Sequence, residues 1–279
     1  MRTALTWAML ALLFPAFAVA KSLAPGSGYV AMGSSYAAGP WIAQSADTPP
    51  NRCARSDANY AHLLAGRLHL ALTDVTCSGA RAVHILQAWD EVPAQIDAVT
   101  AQTRLVTITV GGNDLNYLGT IMAMTCPRIP PEQARAIFQG PCPPVKLHTA
   151  EDEAHLAQTL HTAITMIHTR APQARVILVQ YFTLFAPGET CTQTGLTEPE
   201  QRALRGVAAH LSDITARAAH DTHAEIAPVD ALSRAHAICS ATPWVNGNHA
   251  DRANNDGTYY HPNAAGMTAV ADVLAGFLG

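Results

Sequence analysis

Charged residues are scarce in this chain: Asp, Glu, Lys and Arg make up 14% of its 279 residues, and the formal net charge is −4. No basic run exceeds two residues, so nothing suits the phosphate backbone of a nucleic acid or an anionic membrane. Beyond residue 20, no stretch stays apolar for the roughly 18 residues that a spanning helix needs, which argues against stable membrane insertion. No C-x-x-C pair occurs, so the cysteines do not read as a zinc site. Internal repeats and low-complexity linkers are missing too.

The first twenty residues have the pattern of an export leader. Arg2 gives a short positive start, Leu5 to Phe17 is largely apolar, and Ala18-Val19-Ala20 is an A-x-A cleavage site. The expectation is a cleaved signal peptide over residues 1–20 and a single domain over 21–279, secreted or periplasmic. The remainder is long enough for one α/β domain with a sizeable core. Six cysteines, Cys53, Cys77, Cys126, Cys142, Cys191 and Cys239, then suggest disulfides, since the exported compartment is oxidising. Their spacing alone leaves the pairing open.

Strand-like runs alternate with helical ones. The runs are Tyr29 to Met32, Leu70 to Val75, Leu105 to Val110, Val176 to Gln180 and Glu225 to Val229. Between the first two, Ala58 to Leu68 reads as a helix that places Leu63 and Leu64 against the sheet. From Glu151 to Arg170, Leu156, Leu160, Ala163, Ile164 and Ile167 form one apolar stripe at helical spacing. Leu204, Val207, Ala208, Leu211 and Ile214 do the same between Glu198 and Ala219, after a Thr197/Glu200 capping box. A last helix is expected from Pro262 to Leu278, with Pro262 in its first turn. Pro and Gly gather in two irregular insertions, Pro40 to Ser56 and Cys126 to Lys146. Alternation of this kind predicts a parallel sheet covered on both faces.

Four short blocks carry the chemistry: Gly33-Ser34-Ser35-Tyr36, Cys77-Ser78-Gly79, Gly111-Gly112-Asn113-Asp114 and His261-Pro262-Asn263. Open α/β sheets place their sites at the strand ends where such blocks fall. Ser35 follows the first strand, where a nucleophile needs exposure beside a helix N-terminus; Ser34 and Ser35 could equally be plain helix caps. His261, at a loop-to-helix junction, suits a general base. Asn113 and Gly79 are candidate oxyanion donors, or turn residues. His220, His223 and His249 match no zinc spacing and read as surface residues. Trp41, Phe182, Phe185 and Trp244 could line an acyl site or simply pack. The G-x-S-x-G elbow of the α/β-hydrolases is absent.

In this order, with G-x-S-Y-x-A-G, C-x-R-S-x-x-N-Y, C-S-G-A, G-G-N-D and H-P-N-A-A-G, the chain resembles the SGNH or GDSL hydrolases from about Tyr29 to Met267. It is most similar to their secreted bacterial esterase/lipase branch, which includes the actinobacterial secreted lipases. The resemblance implies a flavodoxin-like three-layer α/β/α sandwich. It also implies a carboxylic-ester hydrolase, lipase-like toward acylglycerols, working through an acyl-enzyme on Ser35 with His261 as base. The oxyanion hole would combine the amides of Ser35 and Gly79 with the Asn113 side chain. No cofactor or metal is implied, and the expected partner is a small-molecule or lipid ester met by a monomer. The branch pairs its cysteines in sequence order, which here means Cys53–Cys77, Cys126–Cys142 and Cys191–Cys239.

Two departures stand out. The family's Gly-Asp-Ser is Gly33-Ser34-Ser35 here, and the Asp many members carry three residues before the histidine is Thr258. A main-chain carbonyl near Thr258 is therefore expected to orient His261, with Asp256 as the alternative. Phospholipase A or polysaccharide deacetylase activity would use the same residues, as would acyl transfer to an alcohol. A secreted binding protein that had lost turnover is the reading from a different class.

Overall fold

Five short apolar segments pair side by side in the computed structural model, which describes residues 22–138, 140–249 and 252–279. The expected leader, residues 1–20, lies outside the described residues. The strands are β1 (Gly28–Gly33), β2 (Ala71–Asp74), β3 (Thr103–Thr109), β4 (Arg175–Val179) and β5 (Glu225–Ala227). All pairings are parallel, in the order β2-β1-β3-β4-β5. This is the flavodoxin-like order, and the central strands are buried on both faces as parallel strands must be.

The helices are α1 (Ser35–Ala38), α2 (Tyr60–Leu68), α3 (Val83–Leu86), α4 (Tyr117–Thr125), α5 (Pro131–Phe138), α6 (Ala150–Arg170), α7 (Glu198–Thr222), α8 (Val229–Leu232) and α9 (Ala264–Leu278). The chain moves from β1 outward to β2, then back across β1 to β3, β4 and β5. With right-handed crossovers, that reversal puts α2 on one face of the sheet and the later crossover helices on the other. Helix α9 returns to pack on α2, while α6 packs on α7 and both touch β4. The result is the three-layer α/β/α arrangement.

Both long helices bury the stripes read from the sequence, although Ala208 is only half-buried. The Thr197/Glu200 capping box closes, and Thr149 with Asp152 makes a second one at α6. Leu64 is buried and Leu63 half-buried, as the face of α2 requires; that helix starts after Asn59, whose Oδ1 accepts from the N–H groups of Ala61 and His62. Two expectations need correction. Pro262 is not in the first turn of α9: Asn263 caps that helix by accepting from Gly266 N–H, so Pro262 lies ahead of it, bridged to Val245. The segment from Cys126 to Lys146 is not wholly irregular, because it contains α5.

Three disulfides join Cys53 to Cys77, Cys126 to Cys142 and Cys191 to Cys239. The first fastens the 40–56 insertion to the end of β2. Arg55 reinforces the attachment by donating to the Thr76 carbonyl, while its pairing with Asp47 and the bond from Ser56 Oγ to the Ile42 carbonyl hold the insertion itself together. Cross-links of this kind typically stabilise by about 2–4 kcal/mol.

Candidate active site

The reversal of strand order lies between β1 and β3, and a crevice outside their carboxyl ends is where such sheets bind ligands. Gly33 ends β1 there with φ +137°, and a Cβ on it would sit 2.3 Å from the Thr109 carbonyl oxygen of β3. Only glycine fits so close to a neighbouring backbone. The Gly33 peptide is held by Gln95, the first residue of a short 3-10 helix (Gln95–Ala98) and just 2% exposed: Gly33 N–H donates to Gln95 Oε1 and Gln95 Nε2 donates back to Gly33 O. Gly33 O also accepts from Cys77 N–H, which ties the first block to the second.

This clamp turns Ser35 outward. Ser34 and Tyr36 are buried while Ser35 is half-exposed, on a groove of about 430 Å³ that it shares with Trp41, Arg52, Gly79, Thr258 and His261. Ser34 occupies the cap position of α1 but makes no capping bond. Its hydroxyl instead meets Tyr181 Oη at 2.9 Å, and that phenol accepts from Gly112 N–H. The hydroxyl that replaces the family's Asp is thus part of a buried link between the first and third blocks.

Ser35 Oγ lies 2.8 Å from His261 Nε2, and His261 Nδ1 lies 2.7 Å from the Tyr259 carbonyl oxygen. A carbonyl can only accept, so Nδ1 carries the proton and Nε2 is left with a lone pair for the Ser35 hydroxyl. Two adjacent groups hold this geometry. Tyr36 packs its ring 4.9 Å from the imidazole and donates to the Tyr260 carbonyl, while Tyr260 takes a left-handed φ of +53°. Burial pulls the His261 pKa down from 6.5 to about 4, against the opposing effect of the bond to Tyr259. The imidazole is therefore neutral, as a base must be, across the ordinary range.

The carbonyl that orients the ring belongs to Tyr259, adjacent to Thr258, near which a main-chain acceptor is expected. Asp256 is engaged elsewhere: its Oδ1 accepts from Ala264 N–H at the start of α9.

The second block reaches the groove beside the serine, and the third block holds the second. Gly79 has φ +85°, and a Cβ there would press on Trp89 at 3.1 Å. Neither the Ser35 nor the Gly79 N–H has an acceptor among the described residues, and both residues line the groove. Asn113 Nδ2 donates to the Ala80 carbonyl, leaving its second amide hydrogen, and Asp114 accepts from Ala82 N–H. The third block therefore grips the loop carrying Gly79 on the far side of that glycine.

Of the aromatic candidates, Trp41 alone lines this groove, with 55% of its surface exposed. Phe182 and Phe185 are buried around a separate cavity of about 300 Å³, and Trp244 stacks on His236. Gln95, Tyr181 and Tyr259 were not singled out by sequence. A glutamine in a one-turn 3-10 helix, a tyrosine after a strand and a main-chain carbonyl carry no local signal. His220, His223 and His249 form no metal-binding group among the described residues.

The family model described as "GDSL-like Lipase/Acylhydrolase family" matches residues 31–269. Lipase 2 of Streptomyces coelicolor is 32% identical over 276 residues, covering 95% of this chain and 90% of that protein. Among solved structures, an extracellular lipase from Streptomyces rimosus superposes with a TM-score of 0.70 at 28% identity, covering 90% of this chain and 99% of that one. A phospholipase A1 from Streptomyces albidoflavus gives a TM-score of 0.70 at 26% identity, with the same coverage. Four blocks in family order on a flavodoxin-like sheet agree with these similarities, and the chain belongs to the GDSL-like lipase/acylhydrolase family.

Proposed function

We propose that this protein is a serine carboxylic-ester hydrolase acting on lipid-like acyl esters, with Ser35 as nucleophile and His261 as base. One observation carries the reading: Ser35 Oγ is 2.8 Å from the imidazole nitrogen that the Tyr259 carbonyl leaves unprotonated. In the first half-reaction Nε2 takes the hydroxyl proton as Oγ attacks the ester carbonyl. The resulting oxyanion is met by the N–H groups of Ser35 and Gly79 and by the Asn113 amide, donors fixed before substrate arrives. His261 then gives the proton to the leaving alkoxide, and an acyl-Ser35 remains. In the second half, water replaces the alcohol and the same base deprotonates it.

The Tyr259 carbonyl fixes the ring as a triad carboxylate would, but it supplies no full negative charge opposite the imidazolium. The pair works as a dyad. The relatives named lipase favour an acylglycerol substrate, and the equally close fold of a phospholipase A1 makes phospholipid the second candidate. The extracellular relative, the disulfides and the A-x-A leader support export after cleavage of residues 1–20, with residues 21–279 as one domain.

A chain-length series of p-nitrophenyl esters, run beside a triglyceride and a phospholipid, tests the reading. Turnover of the esters is expected, with the lipid arms separating lipase from phospholipase. No ester turnover by folded protein would favour a binding protein that kept the fold.

A further inference from the structure

The α6–α7 layer carries a second polar cluster, outside the Ser35 groove. His148 directly precedes the Thr149 cap of α6, Glu153 lies at the start of that helix, and His210 projects from the middle of α7. Glu153 Oε1 is 2.9 Å from His148 Nε2 and 2.6 Å from His210 Nδ1. One donor atom from each of the three residues lies within 4.8 Å of the others. We propose that His148, Glu153 and His210 form a binding site for a divalent transition cation, with zinc the best match.

The donor set makes the choice. Two imidazoles and one carboxylate suit a borderline ion such as zinc, whereas calcium and magnesium prefer all-oxygen shells. Zinc bonds of about 2.0–2.2 Å in a tetrahedron put ligand atoms roughly 3.3–3.5 Å apart. The carboxylate must therefore draw back by about half an ångström from the His148 nitrogen and by about 0.8 Å from the His210 nitrogen, which a helix-borne glutamate reaches by rotating its side chain. His148 is the fixed arm, its side chain 11% exposed, and His210 the adjustable one at 55%. A water would complete four-coordination on that open side.

The protons also balance. Without a cation, both rings donate to Glu153 Oε1, so His148 is protonated at Nε2 and His210 at Nδ1. With a cation, those nitrogens give their lone pairs to the metal and each proton moves to the other ring nitrogen. No net proton leaves a neutral imidazole. His148 Nδ1 is buried without a partner, whether it accepts or donates, so it favours neither state.

A bound cation would act on the fold rather than on the chemistry. The segment after the Cys126–Cys142 bridge is anchored on α4 through Lys146 O, which accepts from Asn116 Nδ2 and Thr120 Oγ1. Two residues later His148 reaches α6 and α7. A metal there would clamp the segment across three helices, the first of which starts just after Gly111-Gly112-Asn113-Asp114.

Zinc uptake by tag-free protein, measured by competition with a chromophoric chelator, is the test. One zinc per chain is expected at equimolar metal, with affinity reduced at least about tenfold in both His148→Gln and His210→Gln. Zinc should raise the thermal midpoint of the wild type but not of His210→Gln, whose exposed position preserves the fold. Ester turnover by the two variants should match the wild type. No uptake at equimolar zinc overturns the proposal and leaves a hydrogen-bonded His–Glu–His cluster. Uptake unchanged in both variants also overturns it, by placing the metal among the other histidines of the 13 in the chain.

Discussion

Replacing Asp256 with Asn distinguishes two ways of holding the His261 ring. Where a carboxylate orients the catalytic imidazole, its conversion to the amide costs about 10⁴ in kcat. Here the Nδ1 partner is the Tyr259 carbonyl, and Asp256 Oδ1 accepts instead from Ala264 N–H, the first residue of α9. Asn keeps an oxygen for that bond and loses only the negative charge at a helix N-terminus, worth about 0.3–1 kcal/mol. That loss falls on stability. For a chain of this size it lowers the thermal midpoint by about 1–4 °C. The expected kcat on a p-nitrophenyl ester stays within about tenfold of wild type, a barrier change under about 1.4 kcal/mol. Calorimetry and initial rates on one preparation read both quantities. A fall near 10⁴ with the fold intact would mean that Asp256 reaches the imidazole in the working enzyme, and the dyad would have to be given up.

Asn113→Ala should lower kcat by roughly 10²–10³ with KM little changed, because the lost donor acts mainly in the transition state; an effect on KM alone would make Asn113 a binding residue. Ser34→Ala should keep kcat within about tenfold while costing about 1–3 kcal/mol by chemical denaturation, since it takes away the Tyr181 phenol's hydroxyl partner. The acid limb of kcat/KM should fall well below pH 6.5, because burial holds the His261 pKa near 4 and the neutral ring is the active form. The same depressed pKa gives a stability contribution that is complete above pH 6.5 and is lost as pH falls toward 4, where the unfolded chain has already bound the proton. A limb at pH 6.5 in the rate profile would contradict the buried setting of the ring.

Local patterns made most of the fold legible. Apolar runs located the five strands, and the stripes on α6 and α7 were legible because each helix buries one face. The error at Pro262 arose because His261-Pro262-Asn263 offers two possible helix starts, a proline in the first turn or an asparagine cap. Only the bond from Gly266 N–H to Asn263 decides between them. The helix α5 is short and lies in a proline-rich stretch, where periodicity has too few turns to register. In the site, Ser35, Gly79, Asn113 and His261 were legible as blocks. Their supports were not, because Gln95 and Tyr181 act over long sequence separations, and Tyr259, two residues before His261, acts only through its backbone. The same reason hid His148, Glu153 and His210, whose spacing fits no metal motif until α6 and α7 pack together.

The central claim is that His261 activates Ser35, and covalent labelling by a fluorophosphonate followed by peptide mapping tests it most directly. One phosphonyl group per chain is expected on Ser35, with labelling abolished in Ser35→Ala and slowed by several orders of magnitude in His261→Ala. Labelling at Ser34 or another serine, or none on folded wild-type protein, would contradict the account.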